Sequence, residues 1–143
     1  MRISDFKAAM LSFLNIQYNW GGSNPMTGYD CSGFVQELLA IIGVDPPEDQ
    51  TAQALYDAFY LTSTFSARET GALCFYGKSK KEISHIAMMF DEKCVIEAGG
   101  GNSKTIDVYA AKKQNAYIRL RPYDRRKDLV AVILPDAIKS MLV

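Results

Sequence analysis

The chain predicts an α+β fold in which N-terminal helices pack on an antiparallel β-sheet. Apolar residues recur at helical spacing as far as Tyr60; after Gly71 they gather instead into short runs of β character, separated by turn-length connections. Helices first and strands afterwards is not the alternation that a parallel α/β fold requires.

The elements follow in order. Ser4 is positioned as an N-cap, and Phe6, Ala9, Met10, Phe13 and Leu14 continue at helical spacing, so a first helix is expected to reach about Asn15. Residues 16–29 contain Gly21, Gly22, Pro25 and Gly28 and read as a loop, ordered by Tyr18, Trp20 and Tyr29. Asp30 can cap a second helix with a stripe of Phe34, Leu38 and Ile42, broadened by Val35, Leu39 and Ile41 and ended by Gly43. So wide an apolar face predicts a largely buried helix. Pro46-Pro47 breaks the chain, and Ala52, Leu55, Tyr56 and Phe59 mark a third helix over Thr51–Tyr60. Strands are expected at Ala72–Tyr76, Ser84–Phe90, Cys94–Ala98, Thr105–Tyr109 and Ala116–Arg121, with Leu129–Leu134 as a sixth and Asp136–Leu142 as a closing helix. No repeat or low-complexity linker divides residues 1–143, which read as one domain.

Composition removes several classes of function. At 143 residues and 48% hydrophobic content, the chain can bury one substantial core. Sixteen basic residues balance sixteen acidic ones along the sequence, which gives no electrostatic case for nucleic acid or an anionic membrane as the main partner. Arg119-Leu120-Arg121 and Arg125-Arg126-Lys127 read as solvated turns. No run is long enough to span a bilayer, and Asp5 and Lys7 interrupt the stretch where a signal peptide would need its apolar centre, so no export signal is expected.

Three cysteines without a Cys-x-x-Cys pair make no disulfide framework, and a single histidine gives no zinc-site spacing, so neither metal nor cofactor is expected. Cys74 and Cys94 lie in apolar runs and read as buried core thiols. Cys31 stands between Asp30 and Ser32 at a helix start, where unpaired N–H groups and the helix dipole favour negative charge on sulfur. It is therefore the candidate nucleophile. His85 is the only imidazole available as its base, and a third group is needed to hold the other ring nitrogen. Register selects Glu97. A hairpin with its loop at Phe90–Glu92 puts Glu97 directly opposite His85; a loop at Asp91–Lys93 makes them diagonal neighbours roughly 7 Å apart on one face. A two-residue loop would put them on opposite faces.

These residues resemble a known family. Tyr18-Asn19-Trp20-Gly21-Gly22, Tyr29-Asp30-Cys31-Ser32-Gly33-Phe34-Val35-Gln36, Gly71-Ala72-Leu73-Cys74-Phe75-Tyr76 and His85-Ile86-Ala87-Met88 are similar, in order, to the motifs of the NlpC/P60 cysteine peptidases over roughly residues 15–100. The resemblance implies a papain-like core, with the cysteine on a helix and the histidine on the sheet against it. It further implies hydrolysis of peptide bonds in bacterial peptidoglycan stem peptides, commonly the bond after γ-linked D-glutamate. Carried over by position, Cys31 attacks the carbonyl, His85 shuttles the proton and Glu97 orients His85. Tyr18 sits beside the thiol, where it can bond substrate or the developing oxyanion. Asp30 and Ser32 match positions that contact a free amine in some members, while Asp30 also has its capping role. Trp20 is a pocket wall or core ballast.

Two positions depart from the family pattern. Ala72 occupies a site that is often acidic, and Glu97 one that is often histidine. A carboxylate there should raise the imidazole's pKa and favour the thiolate–imidazolium pair.

Two other functions are compatible with such a chain. One is a thiol acyltransferase or amidase of the related permuted type, against which Cys31 preceding His85 counts. The other is a non-catalytic phage tail or wall-associated module, against which the intact Cys31 and His85 count. A muropeptide substrate together with no export signal implies action in the cytoplasm or delivery by phage lysis, tail or secretion machinery.

Overall fold

The structure, a computed structural model, describes residues 1–24, 28–102 and 104–143. Helix α1 (Ile3–Leu11) buries Phe6 and Met10, but Arg2 holds its cap position without a side-chain bond and Ser4 lies inside the helix. It also ends before Asn15. Asn15 takes a left-handed φ of 74° and its N–H bonds to the Ile118 carbonyl, while Tyr18 N–H bonds to that of Ala116. Pairing with a distant strand thus wins over local helix propensity.

A two-stranded ribbon, β1 (Ser23–Asn24) and β2 (Gly28–Tyr29), leads into α2 (Cys31–Ile41). The Asp30 carboxylate accepts from Gly33 N–H, the expected cap. Phe34, Val35, Leu38, Leu39 and Ile42 are all buried, at about 1.5–3 kcal/mol for each such large side chain. Phe13, Tyr29 and Phe34 meet as a triangle of tilted and edge-to-face rings with centroids 5.5–6.0 Å apart. Thr51 caps α3 (Ala52–Phe59), which runs into a 3-10 turn at Tyr60–Thr62.

The six-stranded sheet is antiparallel throughout, in the order β3 (Ser63–Phe65), β8 (Leu129–Pro135), β4 (Leu73–Ser79), β5 (Glu82–Met89), β6 (Cys94–Gly99), β7 (Tyr117–Pro122). Helix α2 packs on β5 and β6, and α3 on β5. The expected sixth strand, β8, lies inside the sheet. The edge strand β3 has no sequence signal: Ser63–Phe65 is short, and its pairing with β8 depends on a partner some seventy residues away.

Three further expectations are corrected. Thr105–Tyr109 is not a strand; Asp107 accepts from Ala110 N–H and starts helix α4 (Val108–Gln114). An N-cap followed by Ala110, Ala111, Lys112, Lys113 and Gln114 outweighs three β-branched residues and a tyrosine. Cys94 is half-buried at the start of β6, whereas Cys74 is fully buried as expected. Arg119 and Arg121 belong to β7 and not to a turn, with Arg119 stacked on the Tyr117 ring. The chain ends with α5 (Asp136–Met141). Among the described residues no helix is long and apolar enough to cross a membrane.

Candidate active site

Two local features bring the start of α2 against the sheet. Gly22 contacts α2 at Gly33, where a Cβ would collide with the Gly22 carbonyl oxygen, so only glycine permits the approach. Residues 17–19 then run beside Tyr29: Tyr29 N–H bonds to the Gln17 carbonyl and Asn19 N–H to that of Tyr29. Tyr18 is thereby placed next to Cys31. Its ring packs flat on the backbone of Gly101, a position any side chain would block.

Strands β5 and β6 supply the other two groups. Met88 faces Ile96 and Met89 faces Val95, with Asp91–Lys93 as the connecting loop. Continuing that register sets Glu97 opposite Ala87 and makes it a diagonal neighbour of His85 on the same face, the second of the two expected geometries. His85 Nε2 lies 3.5 Å from Glu97 Oε1, an ion-pair contact longer than a good N–H···O hydrogen bond. The second Glu97 oxygen, Oε2, is buried with no hydrogen-bond partner among the described residues.

Cys31, Tyr18, His85 and Glu97 line one cavity of about 430 Å³, with Trp20 at its rim. Trp20 is 55% exposed, so it is a pocket wall and not core ballast. Its backbone N–H bonds to the Thr105 carbonyl at 2.7 Å, tying the rim to the segment before α4.

The charges in the cavity are coupled. Burial works to lower the His85 pKa, but hydrogen bonding and charge from Cys31 and Glu97 outweigh it and raise the imidazole to about 9. Burial raises Glu97; the opposing pull of His85, aided by Arg125 and Arg121, holds it below the usual carboxylate range. Burial, then the nearby Cys31 and Asp30, push the Tyr18 phenol well above its ordinary value, so it is a hydrogen-bond donor at neutral pH. His85, 7% exposed, and Glu97, 3% exposed, are shielded from solvent, which strengthens their interaction. The helix start leaves the N–H groups of Cys31 and Ser32 without intrahelical acceptors.

Asp30 and Ser32 flank this cluster at the helix start. The Asp30 carboxylate accepts from Gly33 N–H at 2.7 Å, Gly21 N–H at 3.2 Å and Ser32 Oγ at 3.3 Å. Burial nevertheless raises its pKa. Both side chains brace the helix start, and neither lines the cavity.

Sequence reasoning misses three contributors. Tyr76 backs His85, with ring centroids 5.5 Å apart, and its hydroxyl donates to the Tyr123 carbonyl at 2.6 Å; nothing in an apolar β run marks it. Arg125 and Arg126 line the cavity, so they are not simply solvated. Their charge clustering was the available signal. No group of three metal-ligating side chains able to hold an ion occurs among the described residues.

Similarity to known proteins agrees with this geometry. The NlpC/P60 family model matches residues 15–121. The bifunctional muramidase/DL-endopeptidase CwlT of Bacillus subtilis (strain 168) is 43% identical over 75 residues, covering 50% of this chain and 21% of CwlT. The chain therefore spans about a fifth of that relative's length. An NlpC/P60 family protein from Bacillus cereus ATCC 10987 superposes with a TM-score of 0.70 at 15% identity, over 92% of this chain and 39% of that one. RipD from Mycobacterium tuberculosis, described as a non-catalytic NlpC/P60 domain protein adapted to peptidoglycan binding, superposes at 0.68 with 18% identity, over 95% and 98%. At such identities the structural matches speak for the fold alone. The family match covers most of the sequence, and with it the helix-borne cysteine and the sheet-borne histidine: the chain belongs to the NlpC/P60 family.

Proposed function

We propose that this chain is a cysteine peptidase that cleaves peptide bonds in bacterial peptidoglycan stem peptides, at the bond after γ-linked D-glutamate, with Cys31, His85 and Glu97 as its catalytic triad. The observation that carries the reading is the convergence of Cys31 at a helix start and the buried His85–Glu97 pair on a single cavity. The DL-endopeptidase activity named for CwlT supports the choice of substrate.

In this mechanism His85 holds the proton of the Cys31 thiol, and Sγ attacks the scissile carbonyl carbon. The oxyanion develops beside the Cys31 N–H and the Tyr18 hydroxyl, which remains protonated. His85 passes its proton to the leaving amine as the C–N bond breaks and a thioester forms. Water, deprotonated by His85, then attacks the thioester, and the thiol regains its proton as the acid leaves. Glu97 works through His85: facing Nε2 as an ion-pair partner, it fixes the ring and stabilises its charged form, leaving Nδ1 for the sulfur. Asp30 and Ser32 contribute by holding the N-terminus of α2.

The second reading, peptidoglycan binding without cleavage, is favoured by the likeness to RipD. Incubation with purified sacculi and muropeptides separates the two. New termini identified by mass, present with the wild type and absent with Cys31→Ala, support the peptidase. Co-sedimentation with sacculi, with no Cys31-dependent products across several wall chemistries, supports the binding module.

A further inference from the structure

Two guanidiniums line the cavity, and among the described residues one of them lacks an ion-pair partner. Arg126 is already neutralised: its Nε and Nη2 donate to the two Asp128 oxygens at 2.9 and 2.7 Å, and its guanidinium lies 5.2 Å from the centre of the Tyr76 ring. Arg125, next in sequence and on the same cavity wall, has no such carboxylate. Among the described residues its side chain has no ion-pair or hydrogen-bond partner, and its exposed position leaves it free to reach into the opening. Its charge is felt at Glu97, which already faces His85.

We propose that Arg125 is a specificity-determining residue that binds a free carboxylate of the substrate beside the scissile bond. This rests on the peptidase reading above. A γ-linked glutamyl residue keeps its α-carboxylate free a few bonds from the carbonyl under attack, within the span of one arginine side chain. A guanidinium matches a carboxylate by two parallel N–H···O bonds. A carboxamide at the same place offers one acceptor oxygen and no charge. The site therefore discriminates acidic stem peptides from those amidated at that position. The same geometry disfavours an ammonium group near Arg125, and the acceptors suited to a free amine, on Asp30 and Ser32, are not among the cavity-lining groups.

The test uses Cys31→Ala protein, so that recognition is read without turnover. Calorimetry compares a stem peptide containing γ-linked D-glutamate with its α-carboxamide twin, in Cys31→Ala and in Cys31→Ala carrying Arg125→Gln or Arg125→Lys. The carboxylate peptide should bind about tenfold more tightly than the carboxamide, the low end for a partly exposed charge-assisted pair. Arg125→Gln should bring that ratio close to one, and Arg125→Lys should restore part of it. Equal affinities for the two peptides, or a ratio that Arg125→Gln leaves unchanged, would overturn the proposal. In otherwise wild-type protein the preference should reappear as a kcat/KM ratio that Arg125→Gln reduces. A uniform loss on both peptides, with a shifted pH profile, would mean that Arg125 acts on Glu97 and not on substrate. Absence of any Cys31-dependent cleavage would refute the peptidase reading, and the binding ratio would still decide the role of Arg125.

Discussion

Replacing Glu97 by Gln preserves size and removes one charge 3.5 Å from His85 Nε2. At an effective dielectric near 20, two unit charges at that separation interact by about 5 kcal/mol, a ceiling on what the pair can supply. The net value is smaller because the carboxylate is buried, and its burial works against its ionisation. Hydrogen bonds to charged groups contribute about 1.5–3 kcal/mol, which corresponds to a loss of about 10–150-fold in kcat/KM. The imidazolium should also become easier to deprotonate. With Glu97 present the imidazole titrates at about 9, so activity that needs the charged ring falls off on the alkaline side near that pH. In Glu97→Gln the alkaline limb should move to lower pH. The assay is kcat/KM against pH on a defined stem peptide, with circular dichroism to confirm an unchanged fold. Undiminished turnover with an unmoved alkaline limb would remove Glu97 from the catalytic group.

The remaining predictions concern the scaffold. Gly33→Ala forces a Cβ into the Gly22 carbonyl and should cost about 1–3 kcal/mol, lowering Tm by about 3–10 °C in a thermal melt; an unchanged Tm would mean that the loop yields freely. Asp30→Ala removes the α2 cap bond from Gly33 and the bonds accepted from Gly21 and Ser32, and should destabilise by about 1–2 kcal/mol, read as a lower urea midpoint. Because the His85 pKa is raised on folding, its charged form stabilises the native state. That contribution is complete below about 6.5 and is lost as pH rises through about 9. Denaturation midpoints across that window should fall in the wild type and fall less in Glu97→Gln.

Much of this arrangement was legible in the sequence because it depends on short-range rules. Asp30 followed by a broad apolar stripe specifies a capped, buried helix, and a three-residue loop at Asp91–Lys93 is enough to put His85 and Glu97 on one face. What escaped depends on distant partners or competing local signals. The early end of α1 is caused by Asn15 and Tyr18 pairing near Ile118 and Ala116, and β3 exists only because β8 offers it an edge. Helix α4 was hidden by Thr105, Ile106, Val108 and Tyr109, whose β character masked the Asp107 cap. Arg125 and Arg126 were visible as a charge cluster, but their place on the cavity wall follows from the turn between β7 and β8, which no local pattern reveals.

The central claim is that Cys31 is a nucleophile served by His85, and the most direct measurement is cleavage of a purified muropeptide by wild type and Cys31→Ala at equal concentration. A single new cleavage at the γ-D-glutamyl bond, identified by mass, is expected with the wild type and none with the variant. Cleavage that persists undiminished in Cys31→Ala would contradict it.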